Sequence, residues 1–147
     1  MATLQDATKT LLEADGTLMA LLTGGIFEKA SGQGRLGLTL ADFTKEADGI
    51  TIKPTGAIIW GVETPDPRLL NSQDTFCTFY AYQHRGYATI RTTLKRVMVL
   101  LNREFVTSDN ESIALFTWAG NLGEVNAEEL RGTPMNAARF QVKSIRA

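Results

Sequence analysis

Thr75-Phe76-Cys77-Thr78-Phe79-Tyr80-Ala81-Tyr82-Gln83 alternates side chains in the manner of a strand, breaks at His84-Arg85-Gly86, and leads into a helix-period segment at residues 87–102. On a strand, Phe76, Thr78, Tyr80 and Tyr82 share one face and Cys77, Phe79, Ala81 and Gln83 the other. Both faces carry apolar bulk, so the strand is predicted to be central in its sheet. In the helix, Tyr87, Ile90, Leu94, Val97, Met98 and Leu101 fall within an arc of about 100°, a single buried stripe. Arg91, Lys95, Arg96 and Arg103 lie off that stripe. So do Val99 and Leu100, and apolar residues on a charged face imply contact with another subunit or with a loop of the same chain. A strand feeding a packed helix is the unit around which the rest of the chain is read.

Upstream, Leu4, Ala7, Leu11 and Ala14 recur at helical spacing and predict an amphipathic helix over residues 3–14. Asp15 is placed to cap a second short helix at 17–22, which Thr23-Gly24-Gly25 ends. Ile26-Phe27 is a brief extended piece. Residues 30–49 are read as a long loop, with a short helix at 40–47 stopped by Asp48-Gly49; loops of this length are often functional. Arg35, Leu36, Leu38, Asp42 and Phe43 are its expected partner-facing side chains. A strand is expected at 57–62, after Pro54 and Gly56.

Downstream, a strand is expected at 113–119 and a helical turn at 126–132. The last strand is expected at 138–145, where Ala138, Phe140, Val142 and Ser144 alternate with Arg139, Gln141, Lys143 and Ile145. Cations on one face suit an edge strand or a solvent face. The predicted architecture is an α/β (α+β) single domain over residues 1–147: a four-stranded, largely antiparallel sheet with two main helices on one face.

Bulk properties narrow the function classes. A chain of 147 residues with 44% hydrophobic and 21% charged residues builds one globular core without staples. Fifteen basic residues against sixteen acidic give a formal charge of −1, which provides no electrostatic drive toward nucleic acid or anionic lipid. The single cysteine, Cys77, allows no internal disulfide and fits a reducing compartment. No secretory signal and no apolar run of ~20 residues is visible, so no membrane partner is expected. Synthesis and residence in a cytoplasm are expected, unless the chain leaves inside a larger particle.

Chemistry-bearing residues give little. Gly32-x-Gly34-x-x-Gly37 matches the dinucleotide fingerprint formally, but Glu28-Lys29-Ala30-Ser31 is no hydrophobic delivering strand. Cys77 and His84 are seven positions apart on one predicted strand, on opposite faces and separated by roughly 23 Å, so they form no dyad. One His and one Cys cannot build a zinc site unaided. Glu128-Glu129 and the Asp42/Glu46 pair have the spacing of solvated helix faces. No catalytic, cofactor or metal site is expected.

Leu11-Leu12-Glu13-Ala14-Asp15-Gly16-Thr17-Leu18-Met19-Ala20-Leu21-Leu22 runs directly into Thr23-Gly24-Gly25-Ile26-Phe27. This opening is similar to that of the tail terminator (tail completion) proteins of long-tailed bacteriophages. An aromatic strand turning into a Leu/Val-spaced helix at 76–101 extends the resemblance, as does the closing Ala138-Arg139-Phe140-Gln141-Val142-Lys143. The matches cover most of the chain in order and are patterns of hydrophobicity and turns. The stretch at 30–49 departs from the shorter loop such proteins carry.

The resemblance implies a virion subunit, assembled in the host cytoplasm, that closes into a hexameric ring at the head-proximal end of the tail tube. There it stops tube polymerisation and joins the head connector. Its implied partners are further copies of itself, the tail tube protein and the head connector or stopper protein, with DNA only passing through the lumen. Such a ring needs heterologous contacts, for which Arg91, Lys95, Arg96, Val99 and Leu100 on one side and Asp6, Glu13 and Asp15 on the other are the candidates. Two alternatives remain: another connector, stopper or tube component, and a small nucleotide-binding enzyme using the Gly32–Gly37 loop. A tube protein would stack into open-ended polymers, and an enzyme would gain thermal stability from nucleotide.

Overall fold

The computed structural model describes residues 4–29, 43–61, 64–65, 72–107, 112–127 and 132–146. In chain order these form α1 (Leu4–Glu13), α2 (Gly16–Leu21), β1 (Ile26–Lys29), β2 (Thr55–Trp60), β3 (Thr64–Pro65), β4 (Ser72–Tyr82), α3 (Ala88–Leu101), β5 (Phe105–Thr107), β6 (Ser112–Asn121), β7 (Val125–Ala127) and β8 (Thr133–Arg146). The class is α+β, as expected. The strand count is not: among the described residues the sheet has eight strands, ordered β1-β2-β4-β8-β6-β5, with β3 on β4 and β7 on β8. The expected four, β2, β4, β6 and β8, are its long members. Strands of two to four residues, such as β1, β3, β5 and β7, are too short to display a period and form only because a long neighbour offers a paired edge.

The β1–β2 pair is parallel and all others are antiparallel. β4 lies between β2 and β8, central as its two apolar faces required. β8 lies between β4 and β6, so its exposed Arg139, Gln141 and Lys143 mark a solvent face and not an edge. It also begins at Thr133, five residues earlier than expected, because the buried Met135 and Ala137 pair with Tyr82 and Tyr80 at the far end of β4. The residues expected to make a helical turn supply β7 instead, where Val125–Ala127 pair with Met135–Thr133; positions 128–131 lie outside the described residues.

One core fills the helix side of the sheet. Cys77 and Phe79 of β4, Phe140 of β8, Phe116 of β6 and Trp60 of β2 meet Leu12, Leu18, Ile90 and Val97 from the helices. Trp60 and Phe116 stand on strands three spacings apart, roughly 14 Å on a flat sheet. Their rings are nevertheless 6.0 Å apart, so the sheet is strongly curled around the helices. The curl brings both edge strands toward α1, which touches β1 and β5. Gly56 is required inside β2 because a Cβ there would lie 2.5 Å from the Phe79 ring, and β2 accordingly starts before this residue, just after Pro54.

A second, smaller core lies on the opposite face, where Phe43, Ile52, Tyr82 and Met135 cluster with Phe27. The chain from 43 to 53 crosses this end as a hairpin. Lys45 bridges Ile52, and Asp48 turns the tip by accepting from the amides of Ile50 (2.9 Å) and Thr51 (2.8 Å) and the Thr51 hydroxyl (2.6 Å). The described part of the expected 40–47 helix is therefore β-like. Asp48-Gly49, with Gly49 at φ +71°, makes a hairpin turn where a helix stop was expected.

Candidate assembly surfaces

The two cationic ends of the outer α3 row are neutralised within the chain. Asp15 caps α2 by accepting from the Leu18 amide at 2.9 Å and also receives Arg96, whose Nε and Nη2 donate at 2.8 and 2.6 Å. The Arg96 hydrogen bonds, helped by the Leu18 amide, hold the Asp15 carboxyl down from 3.8 to about 2. Arg91 makes a two-pronged ion pair with Glu124, which lowers the Glu124 pKa. Arg96 and Asp15, one residue from each expected interface half, thus meet inside one molecule and tie α3 to the start of α2.

The remaining candidates divide by burial. Leu100 packs against the helix-side core, which answers half of the question its position raised. Val99 is 65% exposed and continues the solvent row of Arg91 and Lys95 at helical spacing. Lys95 has no ion-pair partner among the described residues. Glu13 and Asp6 lie on the exposed side of α1. Phe43, expected at the partner-facing loop, is 4% exposed and meets Tyr82 edge-on at 5.3 Å, because an aromatic ring gains more from the open sheet end beneath it than from water. Arg35, Leu36, Leu38 and Asp42, and the Gly32–Gly37 pattern, lie outside the described residues.

Three surface features result. The first is a groove of about 220 Å³ beside α3, with Leu94 and Met98 at its base and Arg91, Lys95, Asn121 and Glu124 around it. Exposed Leu122 adjoins Asn121, and the Asn136 side chain holds this turn by accepting from the Gly123 amide at 2.9 Å. The second is the 43–53 hairpin, whose tip carries Ile50 at 74% exposure, with Glu46 and Asp48 exposed beside it. The third is the half of the outer sheet face away from the hairpin. There Phe76, Phe105 and Ile113 are exposed, with the Arg139 guanidinium 3.7 Å over the Phe76 ring.

Ile50 and Leu122 escaped the sequence reading. Ile50 follows an Asp-Gly pair, and a hairpin reading of that pair would have put an isoleucine at an exposed tip. Leu122 lies in a Gly-bounded turn and carries no comparable signal. Cys77 is buried in mid-strand and His84 lies beyond the strand end, so they are not brought together. Among the described residues no group of three or more His, Cys, Asp or Glu side chains is placed to hold a metal ion, and no helix is long and apolar enough to cross a membrane.

No protein-family model and no curated protein matches the chain. Its fold is similar to that of a solved chain in the virion of the native gene transfer agent (GTA) particle. The likeness has a TM-score of 0.63 at 13% sequence identity and covers 98% of this chain and 95% of that one.

Proposed function

We propose that this chain is a structural subunit of a virion that caps the head-proximal end of a tail tube as a ring, ends tube polymerisation and offers the surface that joins the head connector. The observation that carries the reading is the near end-to-end correspondence of its fold with a chain of a virion particle. Inserted or missing domains would break such coverage. The order of sequence features that resembles tail terminators supports the finer placement. The role is one of assembly, without catalysis or cofactor, with copies of itself, the tube protein and the connector protein as partners.

In this reading the exposed α3 row, Lys95 and Val99 with Arg91 and Arg96 at its borders, forms one side of a heterologous contact between neighbours in the ring. Of the acidic candidates for the other side, Asp6 and Glu13 lie on the exposed side of α1, and Asp15 is engaged by Arg96 within the chain. Leu100 supports the row from below. Six copies close the ring, through whose lumen DNA passes.

The test is electron microscopy of the tail tube subunit polymerised with and without this protein. Tubes of limited length with a ring at one end are expected. Open-ended stacks formed by this chain alone would make it a tube component. Unlimited tube growth, with binding only to the connector, would make it a stopper or joining protein.

A further inference from the structure

The groove beside α3 carries Arg91 and Lys95 against Glu124, the tip of the 43–53 hairpin carries Glu46 and Asp48 with Lys45 and Lys53 in its arms, and among the described residues nothing closes either. At about 220 Å³ the groove is smaller than the ~300–1,000 Å³ usual for small-molecule sites. Its base is aliphatic, from Leu94 and Met98. Of its two cations, Arg91 is neutralised by Glu124, and Lys95 has no ion-pair partner among the described residues. The hairpin tip presents one aliphatic side chain, Ile50, next to the carboxylates of Glu46 and Asp48. At 74% exposure Ile50 leaves most of an aliphatic side chain in water, and burying it against another apolar surface is favourable.

The two features belong to opposite faces of the sheet. The hairpin is anchored by Phe43 and Ile52 on the face of the sheet opposite the helices. The groove opens on the helix face, between α3 and the turn after β6. Two different patches on opposite faces are what a head-to-tail contact between identical subunits needs.

We propose that the tip of the 43–53 hairpin docks in the α3 groove of a second copy of this chain, with Ile50 seated over Leu94 and Met98 and Glu46 facing Lys95. The inference rests on the ring reading and replaces the acidic side chains of α1 with Glu46 of the hairpin as the neighbour's group opposite Lys95. It supplies the groove with an apolar group and Lys95 with a carboxylate in one step, and leaves Val99 and Leu122 at the border of the contact.

Two single variants, Ile50→Cys and Met98→Cys, are oxidised with copper phenanthroline separately and as an equimolar mixture. Buried Cys77 is retained in both. Disulfide-linked dimers at least tenfold more abundant in the mixture than in either variant alone are expected. No dimer in the mixture, or as much dimer in one variant alone, overturns the proposal.

The double variant Ile50→Cys/Met98→Cys separates this contact from the ring itself. A cross-linked closed species of discrete copy number supports both. An open ladder upholds the docking and refutes the ring. As a charge test, Lys95→Glu should reduce cross-linking of the mixture, and adding Glu46→Lys to the Ile50→Cys partner should restore it. Failure of the restoration would remove Glu46 as the partner of Lys95.

Discussion

Asp15 serves two elements at once, as the N-cap of α2 and as the acceptor of a bidentate hydrogen bond from Arg96 of α3. Both interactions favour the ionised carboxylate, and its pKa falls from 3.8 to about 2. Asp48, bonded to the Thr51 hydroxyl and to the Ile50 and Thr51 amides, falls to about 2 in the same way. Because the folded-state values lie below the unfolded ones, the linked stability is fully present above about pH 4 and is lost as pH drops toward 2. Asp15→Asn should therefore lower the urea midpoint at about pH 6 and flatten its decline between about pH 4 and 2, with Asp48 still contributing its share. An acid decline as steep as in the unaltered protein would show that Asp15 does not carry this linkage.

At the scale of the element, α3 has one face for the core and another for solvent or a neighbour. Leu101 and Val97 are fully buried, whereas Val99, two positions from each, is mostly in water. Leu101→Ala should cost about 2–5 kcal/mol in denaturant unfolding, the loss expected for an aliphatic side chain removed from a packed interior. Val99→Ala should stay within about 0.5 kcal/mol. Equal losses would contradict the two-faced helix. The helix ends where its stripe ends: Asn102 Oδ1 accepts from the Trp118 amide, and Arg103, at φ +63°, donates its amide to the Phe116 carbonyl at 2.7 Å. These bonds direct the chain into β5, an element that was not legible because three residues, one of them buried, carry no pattern. The long elements were legible to within a few residues because each repeats its period several times: α1, α3, β4 and the second half of β8.

For the whole molecule, β4 and β8 form the longest pairing and hold side chains from both cores, so their amides should open only with global unfolding. Hydrogen exchange should find the slowest amides near Phe79 and Phe140, with faster exchange in β1 and β5 at the sheet ends. Faster exchange in β4 than in α1 would refute this hierarchy. The amino-acid sequence by itself determined the α+β class, the capping of α2 by Asp15, the two faces of β4 and the stripe of α3, because these depend on periodicity and neighbours within a few positions. Only the tertiary structure decided how many strands the described residues put in the sheet, that Arg96 is engaged by Asp15, that Phe43 is core, and that Ile50 is exposed and a groove forms over Leu94 and Met98. Those outcomes depend on contacts such as Trp60 with Phe116 and Arg96 with Asp15, and no local period records a contact between residues so far apart along the chain.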